Sequence, residues 1–296
     1  MTAALESIRS FGNRVLVFGH MIRFSHSVFA LPFALSGVLF AAHRTGSFPP
    51  ARIWAWVIVA MVGARSAAMT FNRITDRDHD ARNPRTRERA LPSGMLSMRA
   101  AWIFTCLSVA VFVLATSRIN RTAFLLSPVA LAIIFFYSLT KRFTWASHFF
   151  LGLALAVAPV GGWVAVTGRL EAAPFVLALG VLAWVAGFDI CYSLQDVEFD
   201  RDQGLHSLPA RFDVTTAFVA ARVCHVVAVL ALASLVFLLD LSPWYLAGIA
   251  VIAGVLIYEH RLISPRDWRN LNRAFFDMNA VISVIFLGAS AAGVFL

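Results

Sequence analysis

One polar segment of the sequence carries side chains with oxygen donors at helical spacing. Asn72, Asp76 and Asp80 are separated by four residues each. On an α-helix a step of four residues turns the chain by only about 40°, so these three side chains lie on one face. The spacing therefore predicts a stripe of oxygen ligands at the end of an apolar segment.

A second acidic group follows about 120 residues later, counted from Asp76 to Asp196. Asp189, Tyr192, Asp196 and Asp200 follow one another at steps of three, four and four, which again predicts a single stripe. Each group ends an apolar segment, and each is followed by a basic segment that contains Leu-Pro. This likeness predicts two related halves that face one cavity.

Facing stripes of carboxylates repel each other in a partly dry cavity unless a cation lies between them. Oxygen ligands favour Mg²⁺ over zinc, and Mg²⁺ combines one or two carboxylates with the oxygens of a phosphate. Two such ions would bind a diphosphate. The alternative is that these acids are solvated helix ends, and a single Asp-x3-Asp pattern would favour it. Two clusters, each with a polar residue one turn inside the apolar segment, favour the metal site.

The elements that hold the stripes are apolar helices. Hydrophobic residues make up 59% of the 296 residues and charged residues 14%, with a mean hydropathy of +0.76, which is typical of a membrane protein. A span needs about 20 mainly apolar residues. We predict an all-α membrane protein of one domain, 1–296, in which nine transmembrane helices form a single bundle around a central cavity, as two related four-helix halves plus one. The predicted spans are 20–43, 52–72, 99–117, 122–140, 146–167, 173–193, 214–239, 243–260 and 276–296.

Positive charge predicts the orientation of the bundle. The formal net charge is +9, and most Lys and Arg residues lie on the side of the acidic segments. By the positive-inside rule, the N-terminus and the acidic loops are cytoplasmic and the C-terminus is outside. We therefore expect a multi-pass protein of a bacterial-type inner membrane, with membrane lipid and no nucleic acid as a partner. The first apolar segment lacks a cleavage pattern and is expected to remain as a helix.

The motifs resemble those of a known family. The pattern at 72–80, followed by RTRERALPSG at 85–94, is similar to the first signature of the UbiA superfamily of intramembrane prenyltransferases, and the pattern at 189–200 is similar to the second. YSLTKRFTW at 137–145 matches the usual connection between the fourth and fifth helices. MIRFSHSVFALPFALSG together with NPRTRERALPSG looks most like the 4-hydroxybenzoate polyprenyltransferase branch, including its futalosine-route relatives. One difference is Arg73, where many members carry Asp.

The resemblance implies Mg²⁺-dependent transfer of a polyprenyl group from polyprenyl diphosphate to 4-hydroxybenzoate or a related hydroxy-aromatic or naphthoate acid, in ubiquinone or menaquinone biosynthesis. The allylic carbon–oxygen bond would ionise, and the aromatic ring would attack the carbocation. Superfamily members of the haem O or chlorophyll synthase type share the acidic motifs and are an alternative. A membrane transporter is the non-enzymatic alternative, although it would need no paired acidic stripes.

The resemblance also implies roles for individual residues. Two Mg²⁺ ions would be held by the aspartates of both motifs, with an asparagine supporting the first site: Asp76, Asp80, Asp196, Asp200 and Asn72.

Candidates for contact with the diphosphate are Arg85, Arg89, Lys141, Tyr137 and Tyr192. Alternatively, the basic residues among them only set the orientation of the protein in the membrane, as positive-inside residues. Tyr137 would alternatively belong to an aromatic belt at the membrane interface.

Asp189, Arg23 and His26 are candidates for acceptor binding or catalysis. Arg23 would bind the carboxylate of the acceptor, or alternatively reach the membrane interface. His26 lies three residues after Arg23 on the same face, and its alternative is a packed helix residue. Asp78 and Asp202 fall off the stripes and are predicted to be solvated.

Overall fold

Helices form the regular structure of the chain. A computed structural model describes residues 30–263, Leu271 and 277–296, and those residues contain no strand. The long helices are α1 (Leu31–Thr45), α2 (Ala51–Thr75), α4 (Met98–Ile119), α5 (Arg121–Thr140), α6 (Ser147–Thr167), α7 (Ala172–Tyr192), α10 (Val214–Leu239), α11 (Pro243–Leu262) and α12 (Asn279–Phe295). The short helices are α3 (Arg77–Arg82), α8 (Val197–Asp202) and α9 (Leu208–Arg211), and a 3₁₀ turn, Ser193–Asp196, joins α7 to α8.

Seven helical segments in the described ranges are long and apolar enough to cross a membrane. They are α2, α4, α5, α6, the continuous segment Ala172–Asp202 that contains α7 and α8, α10 and α11. The protein is therefore a multi-pass integral membrane protein, as predicted. Helices α1 and α12 have 15 and 17 residues and coincide with the first and ninth predicted spans, but residues 20–29 lie outside the described residues. The total of nine spans stays a prediction.

Polar residues mark several of the helix ends. The side chains of Ser97, Asn120 and Asp213 each accept a hydrogen bond from the backbone N–H three residues on, which caps α4, α5 and α10. Asp240 has a φ of 51° and ends α10 in the left-handed conformation. Short, well-defined connections of this kind keep consecutive helices antiparallel and adjacent.

Glycines bring α1 and α6 into backbone contact. A Cβ atom added to Gly162 would lie 2.1 Å from the carbonyl oxygen of Ala34, and one added to Gly37 would lie 2.3 Å from that of Pro159. Small residues allow this approach because dispersion contacts between close backbones stabilise helix pairs in lipid. The contact fixes α1 against the helix that carries much of the cavity wall.

Aromatic side chains fill the opposite side of the bundle. The ring of Phe33 from α1 lies 4.7 Å from that of Phe286 in α12 and 5.0 Å from that of Trp184 in α7. Tyr245 of α11 is fully buried beside them, and its hydroxyl donates to the carbonyl oxygen of Leu232 at 2.8 Å. This solid packing joins α1, α7, α11 and α12 and leaves the open space of the bundle between α2, α4, α5, α6 and α7.

Candidate active site

A cavity of about 680 Å³ occupies that open space, and it has a polar end and an apolar wall. Every predicted site residue that the structure describes lines it: Asn72, Asp76, Asp80, Arg85, Arg89, Tyr137, Lys141, Asp189, Tyr192, Asp196 and Asp200. The other two predicted residues, Arg23 and His26, lie outside the described residues. The two acidic motifs therefore share one cavity, as their spacing predicts.

The first acidic stripe crosses a helix break. Helix α2 ends at Thr75, Asp76 follows it with φ −90° and ψ 1°, and Asp80 belongs to α3. The backbone N–H of Asp76 donates to the carbonyl of Asn72 at 2.9 Å, and that of Asp80 donates to Asp76 at 2.7 Å. Because the four-residue hydrogen-bond step continues across the break, the three side chains stay on one side of the chain.

The second stripe is divided among three elements. The spacing predicts one helix face, whereas the structure places Asp189 and Tyr192 on α7, Asp196 at the end of the 3₁₀ turn and Asp200 in α8. The hydroxyl of Ser193 donates to the backbone carbonyl of Ile190 at 2.7 Å and competes with the α-helical ladder where α7 ends. A 3₁₀ turn has three residues per turn, so the register of the stripe shifts there.

Arg85 connects the loop after α3 to the second motif. Its Nε donates to Oδ1 of Asp196 at 3.0 Å, and its Nη2 forms a second, short contact with Oδ2 of the same carboxylate. Asn83 also donates to Oδ1 of Asp196, at 3.0 Å. The guanidinium of Arg85 lies 5.7 Å from the centre of the Tyr192 ring. The loop that follows the first motif thus contacts the second motif.

Two further ion pairs neutralise buried aspartates. One guanidinium nitrogen of Arg89 donates to both carboxylate oxygens of Asp80, at 2.7 and 2.9 Å. The Nζ of Lys141, in the turn after α5, lies 2.8 Å from Oδ1 of the fully buried Asp200. Basic residues that the sequence assigns to a diphosphate therefore contact the aspartates that it assigns to the metal.

Asp76 is less completely neutralised. The amide of Asn72 donates to its Oδ2 at 2.9 Å, but the nearest guanidinium nitrogen of Arg142 is 4.0 Å away. Burial, together with the charge of Asp80, raises the pKa of Asp76 to about 6. A divalent cation beside this carboxyl group would favour its ionised form.

The donor atoms fit a magnesium ion that is bound together with a phosphate. Within the described ranges, no three His, Cys, Asp or Glu side chains lie close enough together to hold a metal ion by themselves. Mg²⁺ requires only one or two carboxylates when phosphate oxygens and water complete its octahedral shell. Two carboxylates and one amide from the first motif, and two carboxylates from the second, meet that requirement.

Sequence reasoning missed His148, the buried partner of Asp189. Nδ1 of His148 lies 2.7 Å from Oδ2 of Asp189, and the backbone N–H of Leu208 donates to Nε2 of His148 at 3.2 Å. Because Nε2 accepts a hydrogen bond, the proton of the imidazole is on Nδ1, which donates to Asp189. The signal in the sequence was a histidine inside an apolar span, where polar side chains are costly.

Sequence reasoning also missed Arg65 as a site residue. Arg65 lies on α2 seven residues before Asn72, which is two helical turns deeper on the same face, and it lines the cavity. Its Nε is buried and has no hydrogen-bond partner among the described residues. An arginine within a span and on the stripe of Asn72 was the available signal.

Apolar side chains form much of the cavity wall beyond its polar end. Val129 of α5, Leu153 of α6 and Phe175 of α7 line the cavity, and 55%, 38% and 53% of their surface is accessible. This wall suits contact with a long apolar chain that extends from the polar end of the cavity.

Comparison with known proteins identifies the family. The family model described as the UbiA prenyltransferase family matches residues 30–282. This chain belongs to the UbiA prenyltransferase family. It is therefore a prenyltransferase, and the predicted resemblance of the chain to the UbiA family is confirmed.

Its UbiA relatives include proteins of similar length. The 4-hydroxybenzoate octaprenyltransferase of Aromatoleum aromaticum is 32% identical over 244 residues, which cover 81% of each chain. The solved structure of a UbiA homolog from Aeropyrum pernix K1 has a TM-score of 0.81 and 32% identity, over 90% of this chain and 97% of that one. A UbiA homolog from Archaeoglobus fulgidus, solved bound to GPP and Mg²⁺, shares the fold with a TM-score of 0.69 at 19% identity, over 95% of this chain and all of that one.

Proposed function

We propose that this UbiA-family prenyltransferase transfers a polyprenyl group from polyprenyl diphosphate to the ring of 4-hydroxybenzoate or a related hydroxy-aromatic or naphthoate acid, in ubiquinone or menaquinone biosynthesis. The observation that carries the proposal is one cavity with paired acidic and basic residues at one end and an apolar wall beyond them. The relatives named 4-hydroxybenzoate octaprenyltransferase support this class of acceptor.

The polar end of the cavity would bind the diphosphate. Two Mg²⁺ ions, held through Asp76, Asp80, Asp196 and Asp200 with Asn72 in support, would neutralise the diphosphate and make it a better leaving group. Arg85, Arg89 and Lys141 already face the same space, and each can donate hydrogen bonds to phosphate oxygens instead of carboxylates.

The two tyrosines of the cavity would stabilise the developing positive charge. Tyr137 and Tyr192 line the cavity on α5 and α7. An aromatic face attracts a cation through its quadrupole, and the surrounding apolar side chains exclude the water that would capture an allylic cation. Ring attack on the cation then forms the new carbon–carbon bond.

Arg65 is the described residue that best fits the carboxylate of the acceptor. It lies about 10 Å deeper than Asn72, at 1.5 Å of helix rise per residue, and its buried guanidinium is charged inside an apolar span. A carboxylate would satisfy that charge and place the hydroxylated ring near the allylic carbon. Arg23 and His26 stay proposals for the same end of the acceptor.

The location follows the same reasoning. We propose a bacterial-type inner membrane, a single domain over 1–296, and an orientation with the N-terminus and the acidic loops in the cytoplasm and the C-terminus outside. Arg85, Arg89 and Lys141 lie at the polar end of the cavity, where a water-soluble aromatic acid and Mg²⁺ would enter. The polyprenyl chain is insoluble in water and would enter from the lipid side.

Purified protein in lipid vesicles provides the test. Vesicles would receive a polyprenyl diphosphate, Mg²⁺ and either 4-hydroxybenzoate, a hydroxynaphthoate or no acceptor, with mass spectrometry of products and assay of released diphosphate. A prenylated aromatic acid, with diphosphate released in equal amount, is expected. Diphosphate released equally with and without any acceptor would contradict the proposal and indicate a hydrolase or lyase.

A further inference from the structure

The hydrogen-bond chain that ends at Asp189 joins three separate elements. Leu208, the first residue of α9, donates its backbone N–H to His148 of α6, and His148 donates to Asp189 of α7. The side chain of His148 is 2% exposed, whereas that of Asp189 is 24% exposed and lines the cavity. Both residues border the cavity, and the carboxylate is much the more accessible of the two groups to a ligand.

The hydrogen bonds determine what His148 can do. Its Nε2 accepts from a backbone N–H, which cannot give up its proton, so the ring is a neutral imidazole with its hydrogen on Nδ1. That hydrogen is donated to Oδ2 of Asp189, so the bond to His148 does not use Oδ1 of this cavity-lining side chain. Donation to the ionised form of a carboxyl group favours that form, and it fixes the rotamer of the side chain.

Asp189 lies apart from the groups assigned to the diphosphate. It lies on α7 about one helical turn before Tyr192, which places it on the apolar side of Asp196 and Asp200. Arg65, the proposed partner of the acceptor carboxylate, lines the same cavity and lies on the apolar side of Asn72. A carboxylate on this side of the diphosphate ligands would meet the acceptor ring rather than the leaving group.

We propose that His148 is a positioning residue that holds Asp189 as a carboxylate against the acceptor ring, and that Asp189 takes the proton which the ring loses. The inference rests on the proposed function. The ring π electrons form the bond to the allylic carbon, and the electrons of the broken carbon–oxygen bond leave with the diphosphate. The ring C–H bond then breaks, its electron pair restores the aromatic ring, and Oδ1 of Asp189 receives the proton, which passes to water when the product leaves.

Three variants test these two roles. Asp189→Asn keeps an acceptor for the His148 hydrogen but is not a base, so kcat is expected to fall by about 10²-fold or more. His148→Leu removes the hydrogen bond to Asp189 and is also expected to lower kcat. His148→Gln is expected to restore turnover, because its amide can donate to Asp189 and accept from Leu208. Asp202→Asn, at an exposed carboxylate, is the matched control.

A kinetic isotope effect separates a role in proton removal from a structural one. With an acceptor deuterated at the ring positions beside the hydroxyl, we expect kcat of the wild type to be unaffected by deuterium, because ionisation limits the rate. Asp189→Asn and His148→Leu are expected to show a deuterium effect on kcat, with the KM for the prenyl diphosphate unchanged. A structural defect would lower kcat without making C–H cleavage slow.

The outcomes are distinguishable. Full turnover of His148→Leu without an isotope effect overturns the role of His148, and loss of turnover in Asp189→Asn without an isotope effect assigns the proton to another base. Nitrogen NMR of the wild-type histidines tests the geometry without any variant: an Nε2–H tautomer or an imidazolium at His148 overturns the inference. Absence of any prenylated product from the wild type would instead overturn the proposed function on which the inference rests.

Discussion

One guanidinium nitrogen of Arg89 donates to both carboxylate oxygens of Asp80, at 2.7 and 2.9 Å. Arg85 contacts Asp196 of the other motif in a similar way, through two of its nitrogens. These two aspartates and two arginines thus neutralise each other in the protein alone. Binding of a magnesium diphosphate would be an exchange of partners, in which the metal replaces arginine at the carboxylate and phosphate replaces carboxylate at the arginine.

Loss of an aspartate from either motif is expected to stop turnover. We predict that Asp76→Ala and Asp196→Ala each lower kcat/KM by about 10²–10³-fold or more, because a diphosphate with incomplete charge compensation is a poor leaving group. Product formation is measured in vesicles, and size-exclusion chromatography checks that each variant folds. Asp78→Ala, at an exposed residue off the stripe, is the control. Retained activity in either motif variant would refute the assignment of metal ligands.

Arg89 is expected to bind the diphosphate through paired hydrogen bonds from its guanidinium group. Arg89→Lys keeps the charge but loses one charge-assisted hydrogen bond of about 1.5 kcal/mol, so the KM for the prenyl diphosphate should rise about tenfold. Steady-state kinetics with varied donor concentration measures it. Arg87→Lys, at an exposed position in the same loop, should change nothing. A wild-type KM in Arg89→Lys would mean that Arg89 only neutralises Asp80.

Removal of the Arg65 side chain is expected to weaken binding of the aromatic acceptor and to leave binding of the prenyl diphosphate unaffected. Arg65→Met should raise the KM for 4-hydroxybenzoate by about tenfold or more, because the carboxylate loses a charged partner in an apolar site. The effect should be much smaller with an acceptor that lacks the carboxylate. Arg222→Met serves as the control, since Arg222 lies within α10 but is exposed. An equal loss with both acceptors would argue against the proposed contact.

Divalent cations are expected to be required for binding as well as for turnover. Chelation with EDTA should weaken binding of a non-reactive prenyl diphosphate analogue and stop product formation, and added Mg²⁺ should restore both. Equilibrium binding of the analogue to vesicles that contain the protein measures the loss of affinity independently of activity. Unchanged analogue affinity in EDTA would show that Arg85, Arg89 and Lys141 suffice to bind the diphosphate.

Adjacent glycines in α6 provide a matched pair for the packing of the bundle. Gly162→Ala should lower the free energy of unfolding of the purified protein by about 1–3 kcal/mol, because the new methyl group would lie 2.1 Å from the carbonyl oxygen of Ala34. Gly161→Ala should have no such effect, since no atom lies within 4 Å of its added Cβ. Thermal unfolding in detergent compares the two. Equal stability of both variants would show that α1 can move away from α6.

The sequence predicts those features that depend on local pattern. Long apolar runs determine the helices, and a four-residue step places Asn72, Asp76 and Asp80 on one side even across the break after Thr75. Because both motifs end apolar segments, their meeting in one cavity was also predictable. The division of the second stripe was not, since it depends on the local hydrogen bond of Ser193 to Ile190.

The local spacing of residues does not predict contacts between residues that are distant in the sequence. His148 and Asp189 are 41 residues apart, and a histidine in an apolar span predicts a hydrogen-bond partner without identifying it. Arg65 lies on the face of the predicted stripe, seven residues before Asn72, but the stripe does not show how far into the bundle the cavity extends. The pairing of Arg85 with Asp196 across 111 residues likewise depends on how the two halves pack.

The contacts of Asn83 and Arg85 with Asp196 have a consequence for how the protein is made. A nascent chain that has emerged from the ribosome only as far as α6 contains the first motif but nothing for its loop to close upon. The site comes into being when α7 and α8 arrive and the loop docks on them. A chain that ends before α8 would thus lack half of the residues proposed to bind the prenyl diphosphate, so the proposed carbocation could form in the bilayer only after α8 has been made.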